Sequence, residues 1–110
     1  MSEILNLYHN HVNYFGVGIV DKSFIRRDKE SYCQRWARIR YKLTGEIIVQ
    51  DTEDEAIKLV EFYISFYTYS SKRGSILGTA RNYLKIYKRS DEFKIIDEKQ
   101  DVLSREKSSE

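Results

Sequence analysis

The chain has no proline, a single cysteine, a single methionine and a single tryptophan, and no long apolar run. One cysteine, Cys33, excludes an internal disulfide. It falls on the apolar side of its segment and reads as a small buried hydrophobe in a reducing compartment. No stretch approaches the ~20 consecutive apolar residues of a membrane-spanning helix. The opening Met-Ser-Glu-Ile-Leu-Asn lacks the basic start and apolar stretch of a signal peptide. The expectation from these absences is a cytoplasmic protein with no membrane partner; the missing proline carries no functional information.

What is present bounds the fold. The 110 residues, 41% hydrophobic and 33% charged, suffice for one domain with a modest core. A net charge of +2 does not by itself imply a polyanionic partner. The charges are segregated, however. Basic residues gather between Lys22 and Lys42 and between Lys72 and Lys94, while acids gather at Glu46 to Glu61 and from Asp97 onward. Such segregation creates a local positive field.

Residues 31–43 split on a two-residue period. Cys33, Ala37, Ile39, Tyr41 and Leu43 share one side; Tyr32, Gln34, Trp36, Arg38, Arg40 and Lys42 share the other. Residues 82–89 repeat the pattern, with Leu84 and Ile86 opposed to Tyr83, Lys85, Tyr87 and Arg89. Successive strand side chains point to opposite faces, so one face can enter a core while cations and flat rings are held outward. Cations contact phosphates or base edges, and rings stack on bases. These ten outward residues form the candidate nucleic-acid-binding face, with Lys72 and Arg73 as loop contacts. An ordinary solvated strand face is the alternative reading of the same alternation.

Thr52-Glu53-Asp54-Glu55 has the form of a capping box, and Ala56, Leu59, Val60, Tyr63, Phe66 and Tyr67 recur at three and four residues. This spacing predicts a main helix over 53–70, followed by a loop through Lys72-Arg73-Gly74. Two hairpins are expected. A Thr44-Gly45-Glu46 loop would pair Leu43 with Ile47, and a Ser90-Asp91 turn would place Arg89 opposite Glu92, Lys88 opposite Phe93 and Ile86 opposite Ile95. The expected fold class is α+β: an antiparallel sheet of two hairpins, the helix 53–70 packed on one face, and an N-terminal helix or strand. The domain is expected to span 1–97, with a polar tail over 98–110 that frays from Ser104.

The order of elements from residue 12 to 97 resembles half of a LAGLIDADG homing endonuclease. Phe15-Gly16-Val17-Gly18-Ile19-Val20-Asp21-Lys22-Ser23-Phe24 is similar to that family's signature helix, with Asp21 at the first acid. Ile48 to Glu55 is similar to its strand-to-helix passage. The resemblance implies that residues 13–20, whose own composition is strand-like, continue a helix, and that the sheet holds DNA. The family's metal-binding acid and following glycine are absent, because Lys22 passes directly to Ser23. Without that carboxylate a cation-activated cleavage has no ligand set.

Other chemistry is sparse. His9 and His11 would share a face only on a strand, and no neighbouring Cys or acid completes a metal set. Lys72-Arg73-Gly74-Ser75 lacks the full phosphate-loop pattern, and no nucleophilic triad can be assembled. The expectation is therefore a small non-catalytic nucleic-acid-binding protein, with DNA favoured over RNA, from a virus or mobile element. No metal or cofactor is expected. Two alternatives use the same residues: a protein-binding inhibitor or adaptor, and a homodimeric endonuclease.

Overall fold

Turn chemistry and branched or aromatic side chains dominate the second half of the chain, and there it forms three long strands. The computed structural model describes residues 2–108. In chain order the elements are α1 (Ser2–Leu5), β1 (Tyr8–Tyr14), β2 (Ile19–Asp21), α2 (Lys22–Arg35), β3 (Arg38–Leu43), β4 (Ile48–Asp51), β5 (Ile57–Ser70), β6 (Gly74–Arg89) and β7 (Glu92–Ser108). They build one open sheet in the order β2-β1-β7-β6-β5-β3, with β4 also paired to β5. Neighbours are antiparallel except β1 and β7, which run parallel. The protein is thus a mixed α+β fold dominated by its sheet.

The β6–β7 hairpin has the expected register: Arg89 faces Glu92, Lys88 faces Phe93 and Ile86 faces Ile95. Its two-residue turn holds Ser90 at φ 55°, the left-handed conformation that tight hairpin turns require. At the other end Gly74 takes φ 73°, and the Arg73 backbone N–H donates to Ser70 Oγ at 2.9 Å, closing the β5–β6 turn. Register shifts between Thr79 and Ala80 and between Lys85 and Ile86 mark two bulges in the β6–β7 ladder. Bulges bend a strand and increase its twist.

Helix α2 crosses one face of this sheet. Asp21 caps it by accepting the Phe24 backbone N–H at 2.9 Å, and the chain leaves it at Trp36, whose N–H donates to the Tyr32 carbonyl at 3.1 Å. Ile25 on the helix is fully buried among Leu5, Tyr8, Val12 and Tyr14, with Val20, Phe24 and Ile95 packed around them. Burying Ile25 and Val12 contributes about 1.5–3 kcal/mol each. Thr68, Ile76, Ile64, Ala80 and Asn82 are buried on the same side of the sheet.

Several expectations fail here. The segment 53–70 is not a helix: Ile57–Ser70 is the central strand β5, and Thr52 Oγ1 bonds within a turn, to the Asp54 and Ile57 carbonyls. Nearly every residue of β5 is half-buried, because both faces of the strand are partly covered. Its apolar residues therefore do not alternate cleanly, and a near-continuous apolar run satisfies a helical period as well as a strand. The first hairpin does not form; β3 and β4 lie along the same edge of β5, which pairs with both. Residues 31–35 belong to α2, so the strand begins at Arg38 rather than Ser31. Cys33 is exposed on that helix, not buried. Residues 13–20 are strand, turn and strand, with Phe15 and Gly16 at positive φ, and the supposed signature helix is absent. Through 98–108, the stretch expected as a tail, strand β7 continues; 109 and 110 lie outside the described residues.

A candidate ligand cleft beneath helix α2

The helix covers only part of its face of the sheet, and the uncovered part forms a cleft of about 470 Å³. Ile4, Phe15, Ile39 and Phe66 make its apolar wall, and Tyr14, Asp28, Lys29, Tyr32, Tyr41 and Gln100 bring polar atoms to it. Tyr41 Oη donates to Tyr32 Oη at 3.3 Å, joining β3 to α2 across the mouth. Cys33 lies on the rim. A concave, mostly apolar site with a few convergent polar groups is the usual form of a small-molecule pocket.

One phenol–carboxylate pair lines the polar end, and a second packs against it. Tyr14 Oη donates to Asp28 Oδ2 at 2.8 Å, and Tyr8 Oη donates to Glu98 Oε1 at 2.5 Å. Lys29 Nζ stands over both rings, 5.5 Å from the Tyr8 centroid and 5.9 Å from that of Tyr14. Burial pushes the Glu98 carboxyl up, and the Asp28 charge adds to this; the Tyr8 hydroxyl and the Lys29 ammonium oppose it. Burial likewise drives both phenols far above the ordinary tyrosine range. For Tyr8 the Glu98 charge is the next cause, and for Tyr14 it is the hydrogen bond to Asp28. The phenols therefore stay protonated as donors. Beside this cluster Gln100 Nε2 donates to Asn82 Oδ1 at 2.9 Å, while the buried Asn82 Nδ2 has no partner among the described residues. An acceptor atom or a water would satisfy that orphan donor.

None of the cleft's polar residues was expected as a site except Tyr32. They come from four elements, β1, α2, β3 and β7, so no local motif announces them. The available signal was weaker: after the Asp21 cap, Ile25, Lys29, Tyr32 and Trp36 recur at helical spacing.

The residues expected on a nucleic-acid face divide. Register places Arg38, Arg40 and Lys42 beside Tyr69, Tyr67 and Ser65, then beside Ser75, Leu77 and Thr79 on β6. Tyr83, Lys85, Tyr87 and Arg89 continue that face, on the side of the sheet away from α2. Lys72 and Arg73 are exposed in the β5–β6 turn. Tyr32 and Gln34, by contrast, are on the helix, and Trp36 is buried at 7% exposure, so its ring cannot stack on a base. On the shared face Arg38 lies over Tyr69 and Arg40 over Tyr67 at 5.7 and 5.9 Å. Arg81 sits 4.9 Å from the Tyr83 ring and pairs with Glu61. Asp97, Asp101 and Glu106 of β7 share the face. Its cations and rings largely serve one another.

No family model matches the chain, and no curated protein does. Solved structures do. A protein from Novosphingobium aromaticivorans, provisionally named an aromatic ring hydroxylase, superposes with a TM-score of 0.81 at 12% identity, covering 97% of this chain and 78% of that one. A second from the same species, provisionally named a scytalone dehydratase, gives 0.77 at 12% identity, covering 97% and 73%. An uncharacterized protein with a cystatin-like fold from Caulobacter vibrioides gives 0.76 at 10% identity, covering 94% and 75%. These likenesses overturn the homing-endonuclease resemblance. With it goes the reading as a nucleic-acid-binding protein, an adaptor using the same face, or an endonuclease of viral or mobile-element origin, since the similar structures are bacterial proteins of another fold. Among the described residues no helix is long and apolar enough to cross a membrane. The chain has the cystatin-like α+β fold, with the cleft on the face of the sheet that α2 covers.

Proposed function

We propose that the protein binds a small, flat, mostly apolar molecule in the cleft beneath α2. The observation that carries this reading is the cleft itself: about 470 Å³, with an aromatic and aliphatic wall and a polar end assembled from separate elements. Phe66 and Tyr41 offer ring faces to a planar ligand. Asp28 accepts from it, and Lys29, Tyr32 and Gln100 donate to it. The provisional names of the two Novosphingobium proteins, a ring hydroxylase and a scytalone dehydratase, describe those proteins and agree with a fold that holds ring compounds.

Cys33 supplies the test, because it is exposed and on the rim. A thermal-shift screen of small aromatic acids and phenols is run on the native protein and on protein alkylated at Cys33 with a bulky maleimide. A ligand present at a hundred times its dissociation constant stabilises by about 2.7 kcal/mol, which is readily seen. The reading expects hits on the native protein that disappear after alkylation. Hits that survive alkylation unchanged place the ligand elsewhere and refute it.

A further inference from the structure

We propose that a groove on the other side of the sheet, across β1 and β2, binds a small phosphate monoester as its dianion, independently of the cleft. The groove has a volume of about 680 Å³. Its floor is β1, whose pairing with β7 is interrupted between Tyr8 and Asn13; there His9, Asn10 and His11 all line the groove, and the His11 backbone N–H donates to His9 Nδ1 at 3.4 Å. The histidine pair is thereby brought together, although no metal-holding group of three His, Cys, Asp or Glu exists among the described residues.

The charge around the floor selects the ligand. Lys22, Arg89 and Lys94 are fixed cations lining the groove, and Glu92 is the one carboxylate lining it among the described residues. Asp21 stands opposite His11 on β2, but its side chain is committed to capping α2. Among the described residues neither Lys22 nor Arg89 forms an ion pair. Lys94 Nζ is tied to the Asn6 carbonyl at 2.5 Å, which fixes its position. Net positive charge, with N–H donors from the Arg89 guanidinium, the Lys22 and Lys94 ammoniums and the two imidazoles, favours a doubly charged oxyanion over a monoanion or a neutral group. The Asn10 amide lines the groove as well, and beside it the wall is apolar: Ile19 is 70% exposed, and the Tyr87 ring meets His9 edge-on at 6.2 Å. A phosphate carrying a ring or short chain fits both halves.

The test follows the imidazole resonances of His9 and His11 in the full chain as phenyl phosphate is added, with phenol as the neutral counterpart. The expected result is a saturable shift of both imidazoles with phenyl phosphate and none with phenol. Arg89→Gln, at an exposed hairpin end, should weaken binding about tenfold. Lys22→Gln should act in the same direction and guards against a folding defect in the first variant. A shift that never saturates, that survives both substitutions, or that appears on Tyr32 and Tyr41 in place of the histidines would overturn the proposal. The cleft reading is tested on different residues and stands or falls separately.

Discussion

Replacing Gly78 with alanine probes the packing that shapes the cleft. Gly78 lies in β6 opposite Phe66 of β5, and on its other side it pairs with Arg105 of β7, one residue from Ser104 and the bulge beyond it. A Cβ built there would come within 3.0 Å of the Phe66 ring and of the Ser104 carbonyl oxygen, nearer than real Cβ atoms approach. The ring is a side chain and can swing aside, whereas the carbonyl belongs to a paired strand and yields less. Overpacking of this kind costs about 1–3 kcal/mol, and a backbone clash belongs at the upper end. Alanine in a strand returns about 0.5–1 kcal/mol relative to glycine. The net loss is about 2 kcal/mol, which for a domain of this size lowers Tm by about 8–16 °C. Calorimetry on Gly78→Ala measures it directly. Adding Phe66→Leu should recover part of the loss, since it relieves the ring contact and leaves the carbonyl. An unchanged or raised Tm in the single variant would show that the close approach of Phe66 over Gly78 does not exist.

Two further predictions concern the phenol–carboxylate pairs. The folded protein holds the Glu98 proton more tightly than the unfolded chain does, so this group's contribution is most favourable at low pH. It is lost as pH rises from the ordinary glutamate value through the raised folded one. Glu98→Gln keeps an acceptor for Tyr8, and its stability relative to wild type should therefore increase over that window; a flat difference in urea titrations across pH refutes the shift. Tyr8 and Tyr14 are held protonated, so stability should fall above the ordinary tyrosine pKa as the unfolded chain ionises first. In an alkaline absorbance titration part of the phenolate signal should appear only with unfolding, and that delayed part should shrink in Tyr14→Phe.

The sequence carried the β6–β7 hairpin because two cues agreed: a turn at Ser90-Asp91, and alternation that put Ile86 opposite Ile95. It also carried the side of Arg38, Arg40, Lys42, Tyr83, Lys85, Tyr87 and Arg89, since period two fixes a face whatever the partner strand. It misled at β5. Thr52 followed by three acids imitates a helix start, and apolar residues on both faces of a half-covered strand imitate a helical stripe. Counting Ile57, Val60, Phe62, Tyr63, Ile64, Phe66, Tyr67, Thr68 and Tyr69 as branched or aromatic would have favoured a strand. Helix α2 was missed for the opposite reason: Ile25 is its one fully buried residue, so its pattern is mostly polar. The cleft was illegible because Tyr14, Asp28, Tyr41 and Gln100 meet only through tertiary structure, and the parallel pairing of β1 with β7 cannot be read from either strand alone.

The most direct measurement is a map of aromatic side-chain resonances with and without the best ligand from the screen. The account predicts that the rings of Tyr14, Tyr32, Tyr41 and Phe66 shift together, while Tyr63, Tyr67, Tyr69 and Tyr83 on the opposite face do not. Shifts confined to that opposite face, with the cleft rings unmoved, would contradict it.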